Sequence, residues 1–331
     1  MFFAIAILIL GLILLVKGAD WLVEGASSLA KRLGVSGLTI GLTVVAFGTS
    51  MPELVVNITS SLSGATDIAI GNIVGSNIAN ILLILGVSAL ISKISVQTST
   101  VWKEIPFALL ASVVLFFMAN DMLIDGYDIG ELGRSDGLIL ISFFAIFLWY
   151  TFGMRREDPG SQDDTVVMRG AWHSFGLVVI GLALLVGGGK LTVDSAITIA
   201  QIFGVSQALI GLTVVAVGTS LPELATSIVA ARKGQADIAV GNIVGSNIFN
   251  IFWILGVSAV IAPLQFAPIL NVDLLVTIGA TILLFFAMHT GYVHKRLLFW
   301  KQKDHHVLEW FDGVIMLTAY IAYMVFLVWR G

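Results

Sequence analysis

The sequence predicts an all-α integral membrane protein of ten transmembrane helices, arranged as two inverted repeats of five. Three observations carry this reading. Hydrophobic residues fill 58% of the 331 positions and charged residues only 11%, against roughly 25% charged in a soluble domain. The chain offers ten apolar stretches, most of them close to the roughly 20 residues that cross a bilayer. Residues 34–91 match 204–261 without a gap at an offset of 170, with about two thirds of the positions identical.

In chain order the apolar stretches are 2–17, 38–62, 68–92, 105–120, 137–154, 172–189, 207–231, 238–262, 270–290 and 311–329. The first lacks a basic leader and a small-residue cleavage site, so it is expected to remain as a membrane helix. The hydrophilic run MRREDPGSQDDTVVMRG divides the chain into a first repeat (1–153), a linker (154–170) and a second repeat (171–331). Short loops elsewhere leave no room for a soluble catalytic domain. The chain has no cysteine, which excludes disulfides, thiolate metal sites and a cysteine nucleophile. None of His173, His289, His294, His305 and His306 forms an H-E-x-x-H helix, and Ser50 has no evident base, so an enzyme is not expected.

Basic residues orient the spans. Numbering the loops in order, the odd ones hold Lys31, Arg32, Lys93, Lys103, Arg155, Arg156, Arg169, Arg232, Lys233, Lys295, Arg296, Lys301 and Lys303, whereas the other side has Arg134, Lys190 and Arg330, with Lys17 unassigned. The positive-inside rule makes the odd loops cytoplasmic and places both termini outside, in a cell membrane. The acids Asp121, Asp125, Asp128, Glu131 and Asp136 then lie in an external, solvated loop. Because five segments separate the two copies, the second crosses the membrane in the opposite sense. Inverted repeats of this kind mark secondary transporters, whose ion sites lie at mid-membrane where helices break.

The repeated stretch GLTVVAFGTSMPE (41–53) and GLTVVAVGTSLPE (211–223) supplies such a break. Pro52 removes a backbone donor and Gly48 loosens the same turn, so an interruption is expected over Ala46 to Ser50. Freed carbonyls in hydrocarbon persist only where protein, water or a cation satisfies them. A carboxylate at mid-membrane costs about 2.5 to 3.5 kcal/mol on insertion scales, which makes Glu53 and Glu223 expensive without a partner. Thr49, Glu53 and Asn57 recur at helical spacing, as do Asn72, Ser76 and Asn80; the second copy has Thr219, Glu223 and Ser227 with Asn242, Ser246 and Asn250. Two acids among neutral oxygens suit a hard cation such as Ca2+. Gly71 with Gly75, and Gly241 with Gly245, read as helix-packing pairs, and Asp67 and Asp237 as N-caps.

These paired motifs, with GNIVGSNIAN (71–80) and GNIVGSNIFN (241–250), resemble the alpha repeats of the cation/Ca2+ antiporters, specifically the prokaryotic sodium/calcium exchangers. The resemblance implies two long tilted helices, the first and sixth, that slide across a core of eight. It implies Ca2+ held by Glu53 and Glu223 with the backbone carbonyls of Thr49 and Thr219. Sodium sites would draw on Ala46, Ser50 and Ser76, and on Ala216, Ser220 and Ser246. Potassium-dependent members carry Asp at the position of Asn250; with Asn80 and Asn250 both amides, exchange is expected to be independent of K+ and electrogenic. Transported Ca2+ and Na+ are the only ions implied, with no prosthetic group, no nucleic acid and a monomeric transport unit in the lipid bilayer. Proton/Ca2+ exchange, or antiport of another divalent cation, is the alternative.

Overall fold

The computed structural model describes residues 2–124, 126, 130–153, 167–203, 216–297 and 306–330. Most of the linker, residues 154–166, and the start of the seventh stretch, 207–215, lie outside these. In order, the described elements are α1 (Phe2–Leu33), α2 (Gly37–Thr49), α3 (Met51–Leu62), α4 (Thr66–Ile91), β1 (Ile94–Val96), α5 (Thr100–Ala119), β2 (Gly130–Leu132), α6 (Arg134–Gly153), α7 (Ala171–Ile202), α8 (Ala216–Thr219), α9 (Leu221–Arg232), α10 (Ala236–Ile261), β3 (Leu264–Phe266), α11 (Asn271–Leu297), β4 (His306–Leu308) and α12 (Trp310–Arg330). Among the described residues eight helices are long and apolar enough to cross a bilayer, and α2 with α3, bent by 48°, form a ninth, broken span.

Two helices run far past their predicted ends. The apolar stretches at 2–17 and 172–189 become α1 and α7, each 32 residues, about 48 Å at 1.5 Å per residue. The charges Lys17, Asp20 and Glu24, and Lys190 and Asp194, end the apolar pattern without breaking the helix. What stops α1 is Gly34, which takes a left-handed φ of 66° and lets the Val35 N–H reach the Ala30 carbonyl at 3.1 Å. Lys31 and Arg32, expected in a loop, therefore lie in the last turn of α1.

Small residues let α1 and α7 pack closely and antiparallel. Gly11 lies against Gly188 and Thr192, Gly18 against Gly181 and Leu185, and Gly25 against Ser174 and Val178. Without side chains the backbones come near enough for van der Waals attraction to hold helices that lipid would otherwise solvate equally well. In the same way, a Cβ on Gly241 would lie 2.9 Å from the Leu38 carbonyl and one on Gly245 2.7 Å from that of Leu42, so this pair packs α10 against α2. The matching partners of Gly71 and Gly75, residues 208 and 212, lie outside the described residues. Asp67 and Asp237 are not N-caps. Ala65 and Gln235 hold those positions, and the two acids sit inside the first turn, Asp237 accepting from Gln97 Nε2 at 3.1 Å.

The loops sort into two faces. β1 pairs with β4 and β2 with β3, both antiparallel; the first ladder joins loops three and nine, the second loops four and eight. These four strands of three residues are the exception to the all-helical expectation. Ion pairs obey the same parity: Lys93–Glu309 joins odd loops, and Arg169–Glu24 and Lys233–Asp20 join odd loops to the C-terminal half of α1. Arg330 grips Asp273 from the other face, 3.1 and 3.0 Å from its two oxygens.

The glycine seam generates a stability prediction. A Cβ on Gly18 would lie 2.8 Å from the Gly181 carbonyl, so Gly18→Leu and Gly181→Leu should each cost about 1 to 3 kcal/mol by overpacking. Lowered thermal unfolding temperatures in detergent would register it, whereas Gly176→Ala, with open space around it, should lose nothing.

Candidate ion site

Both copies break their helices in the same way. Ser50 leaves the helical region at φ −83°, ψ 9°, and Ser220 at φ −88°, ψ 7°. The interruption falls at the last residue of the expected window, because Pro52 and Pro222 then occupy the first turn of the following helix, where a missing N–H costs little. The Ala46 carbonyl still accepts from the Ser50 N–H at 3.0 Å.

Each break carries its glutamate to the other. Glu53 and Glu223 are each 1% exposed and lie close enough for their charges to interact. Ser50 Oγ donates to Glu223 Oε1 at 3.0 Å, and Ser220 Oγ lies 3.5 Å from Glu53 Oε1. Ser76 Oγ approaches the same Glu53 oxygen at 3.4 Å. The serine of each break thus bonds the acid of the opposite copy. Thr49 Oγ1 lies 3.0 Å from Asn242 Oδ1, while Thr219 sits beside Glu53 and Ser246 beside Glu223, their hydroxyls buried. Ala46 is fully buried at the break; Ala216 opens α8 at the equivalent position.

Below this pair four asparagines form a closed, two-fold set. Asn80 Nδ2 donates to Asn247 Oδ1 and Asn250 Nδ2 to Asn77 Oδ1, both at 2.9 Å; Asn77 and Asn247 each donate to the other's backbone carbonyl at 3.3 Å. Asn80 and Asn250 sit in π-helical segments, Ala79–Leu85 and Phe249–Leu255, wide turns that recur at functional sites.

The oxygens left over are the chemically telling ones. Glu53 Oε2, Glu223 Oε2, Asn80 Oδ1, Asn250 Oδ1, Thr219 Oγ1 and Ser246 Oγ are all buried with no hydrogen-bond partner among the described residues. The Asn72 Nδ2 donor is buried without such a partner too; buried polar atoms left unpaired are costly, and the carboxylate, amide and hydroxyl oxygens among these are what a hard cation coordinates.

Two expectations change. Asn57 does not face the acids: its amide donates to the Ala69 carbonyl at 2.8 Å and accepts from Ser258 at 3.2 Å, tying α3 to α4 and α10. Ser227 is likewise engaged, with the Ala239 carbonyl and Asn242 Nδ2. Asn77 and Asn247, which the i, i+4 pattern passes over, turn out to link the two copies. Their signal was available: an intramembrane amide at matched positions of two repeats must find a partner.

Apolar spans enclosing a polar centre between broken helices form the architecture of a membrane transport protein. The family described as sodium/calcium exchanger protein matches residues 3–153 and 173–329, and the chain belongs to that family. It is 36% identical to the sodium/calcium exchanger MaX1 of Methanosarcina acetivorans, over 97% of each chain. It is 41% identical to the inner membrane protein YrbG of Escherichia coli, over 81% of this chain and 83% of that one. Its fold matches the sodium-calcium exchanger NCX_Mj soaked with 2.5 mM Na+ and 0.1 mM Ca2+, at TM-score 0.79 and 33% identity over 98% of both chains.

The asparagine set carries its own prediction. Asn247→Ala strips the Asn80 amide of its acceptor, which should cost about 1 to 3 kcal/mol. Asn77→Ala should match it by symmetry, both read as lowered unfolding temperature in detergent.

Proposed function

We propose that this chain is a secondary antiporter that exchanges Ca2+ for Na+ by alternating access, electrogenically and without K+. In this reading residues 1–153 and 171–331 are inverted five-helix repeats joined by a cytoplasmic linker at 154–170, and both termini lie outside the cell membrane. The unit is a monomer that carries its ions as substrates and needs no prosthetic group or enzymatic step. The observation that carries the reading is the pair of buried carboxylates, each with one oxygen unpaired, ringed by unpartnered neutral oxygens.

Glu53 and Glu223 would hold Ca2+ with the carbonyls of Thr49 and Thr219. Ala46, Ser50 and Ser76, and Ala216, Ser220 and Ser246, would hold Na+ around the same acids, with Asn80 and Asn250 at the margin. Two negative charges balance one Ca2+ and fall one short of three Na+, so a cycle of that stoichiometry moves one net charge. A potential of 100 mV then biases its direction by about 2.3 kcal/mol. Shared acids make the two loads mutually exclusive. An empty site leaves two like charges in a low-dielectric interior, which penalises sliding without cargo and makes exchange obligatory.

The decisive measurement is 45Ca2+ uptake into proteoliposomes under Na+, K+ and H+ gradients imposed singly. A Na+ gradient alone should drive uptake, and Glu53→Gln or Glu223→Gln should reduce it to background. Uptake driven by a pH gradient without Na+ would replace this reading with proton exchange.

A further inference from the structure

The repeat is symmetric in sequence, but the packing of its long helices is not. α1 lies along α9, burying Pro222, Thr226 and Ala230, whereas α7 makes no comparable packing on α3, and Pro52, Val56 and Ser60 at the equivalent positions are only half-buried. Ala230 is wholly inaccessible, in one apolar cluster with Val23, Ala26 and Ala30 of α1. Among the described residues, the odd-loop face of the site is therefore the more closely covered one.

Charges hold that cover down. Lys233, which caps the C-terminus of α9, lies 2.5 Å from Asp20 Oδ1 and 3.1 Å from the Asp20 carbonyl. One turn along α1, Glu24 pairs with Arg169 just before α7, a contact inside the long-helix pair that does not reach the core. At an offset of 170 the counterpart of Asp20 is Lys190, that of Lys233 is Ser63 and that of Glu24 is Asp194. If the cover moves to the other face, Lys190 meets Ser63 and no equivalent ion pair forms.

We propose that the Asp20–Lys233 ion pair is a one-sided latch, a positioning contact between α1 and α9 that biases the transport cycle toward the state covered on the odd-loop face. The inference rests on the alternating-access reading and adds to it an asymmetry that the repeat does not require. The two side chains are roughly one third exposed, so the pair shifts the equilibrium by no more than about five-fold, and salt weakens it.

The absence of cysteine makes thiol labelling free of background. Ala230→Cys reports the covered face and Ser60→Cys the opposite one, each in vesicles exposed to a membrane-impermeant methanethiosulfonate on the matching side. With Asp20→Asn or Lys233→Gln, the rate for Cys at 230 divided by the rate for Cys at 60 should rise about three- to five-fold. The charge-swapped Asp20→Lys with Lys233→Asp should restore both rates, and 1 M salt should mimic the single variants. An unchanged ratio would overturn the latch. If Ala230→Cys fails to fold, Ala231→Cys, in the same apolar cluster, replaces it and the same ratio decides. Na+-driven Ca2+ flux in the parent vesicles is scored separately, so coupled rate changes without flux would sink the exchange reading and leave the latch standing.

Discussion

Two carboxylates, each with an unpaired oxygen, share one buried place among the spans, and the rest of the molecule is organised around making that place possible. Insertion of an acid at mid-membrane is costly, and a second like charge beside it adds repulsion that low dielectric magnifies. The protein meets the cost with local means: serines from the opposite copy bond one oxygen of each acid. It leaves the other oxygen unpaired, and that deficit is what a cation can fill.

Two sets of contacts hold the scaffold together. The asparagine set welds α4 to α10 through four amides at the two-fold centre, and the glycine contacts weld α1 to α7. These are different adhesives. Reciprocal amide bonds are directional and fix one register, whereas the glycine seam is van der Waals contact between smooth backbones. Between the two bodies the contacts are mostly apolar, with the Asp20–Lys233 ion pair and the Ser27–Gln235 hydrogen bond at one face.

Much of this was legible in the residues. The apolar stretches, the gapless repeat and the proline after Gly-Thr-Ser were enough to place the breaks, and Glu53 and Glu223 announced themselves as unpaired intramembrane acids. The ends of α1 and α7 were not legible, because charges such as Asp20 and Lys190 stop a hydropathy pattern while leaving the helix intact. Nor was the division among the polar residues of one helical face. Asn57 shares the spacing of Thr49 and Glu53, yet the Ala69 carbonyl and Ser258 claim it. Asn77 lies off that face and still proves central.

By itself the sequence determined the membrane class, the duplication, and the residue types that must meet at mid-membrane, since all three follow from composition, offset and local backbone chemistry. Only the tertiary structure decided which oxygens stay free, which amides serve as glue, and which face of the site is covered. Those outcomes depend on partners more than 140 positions away in the chain, as with Ser50 and Glu223 or Asn80 and Asn247, and no local pattern encodes the geometry at which two distant helices meet.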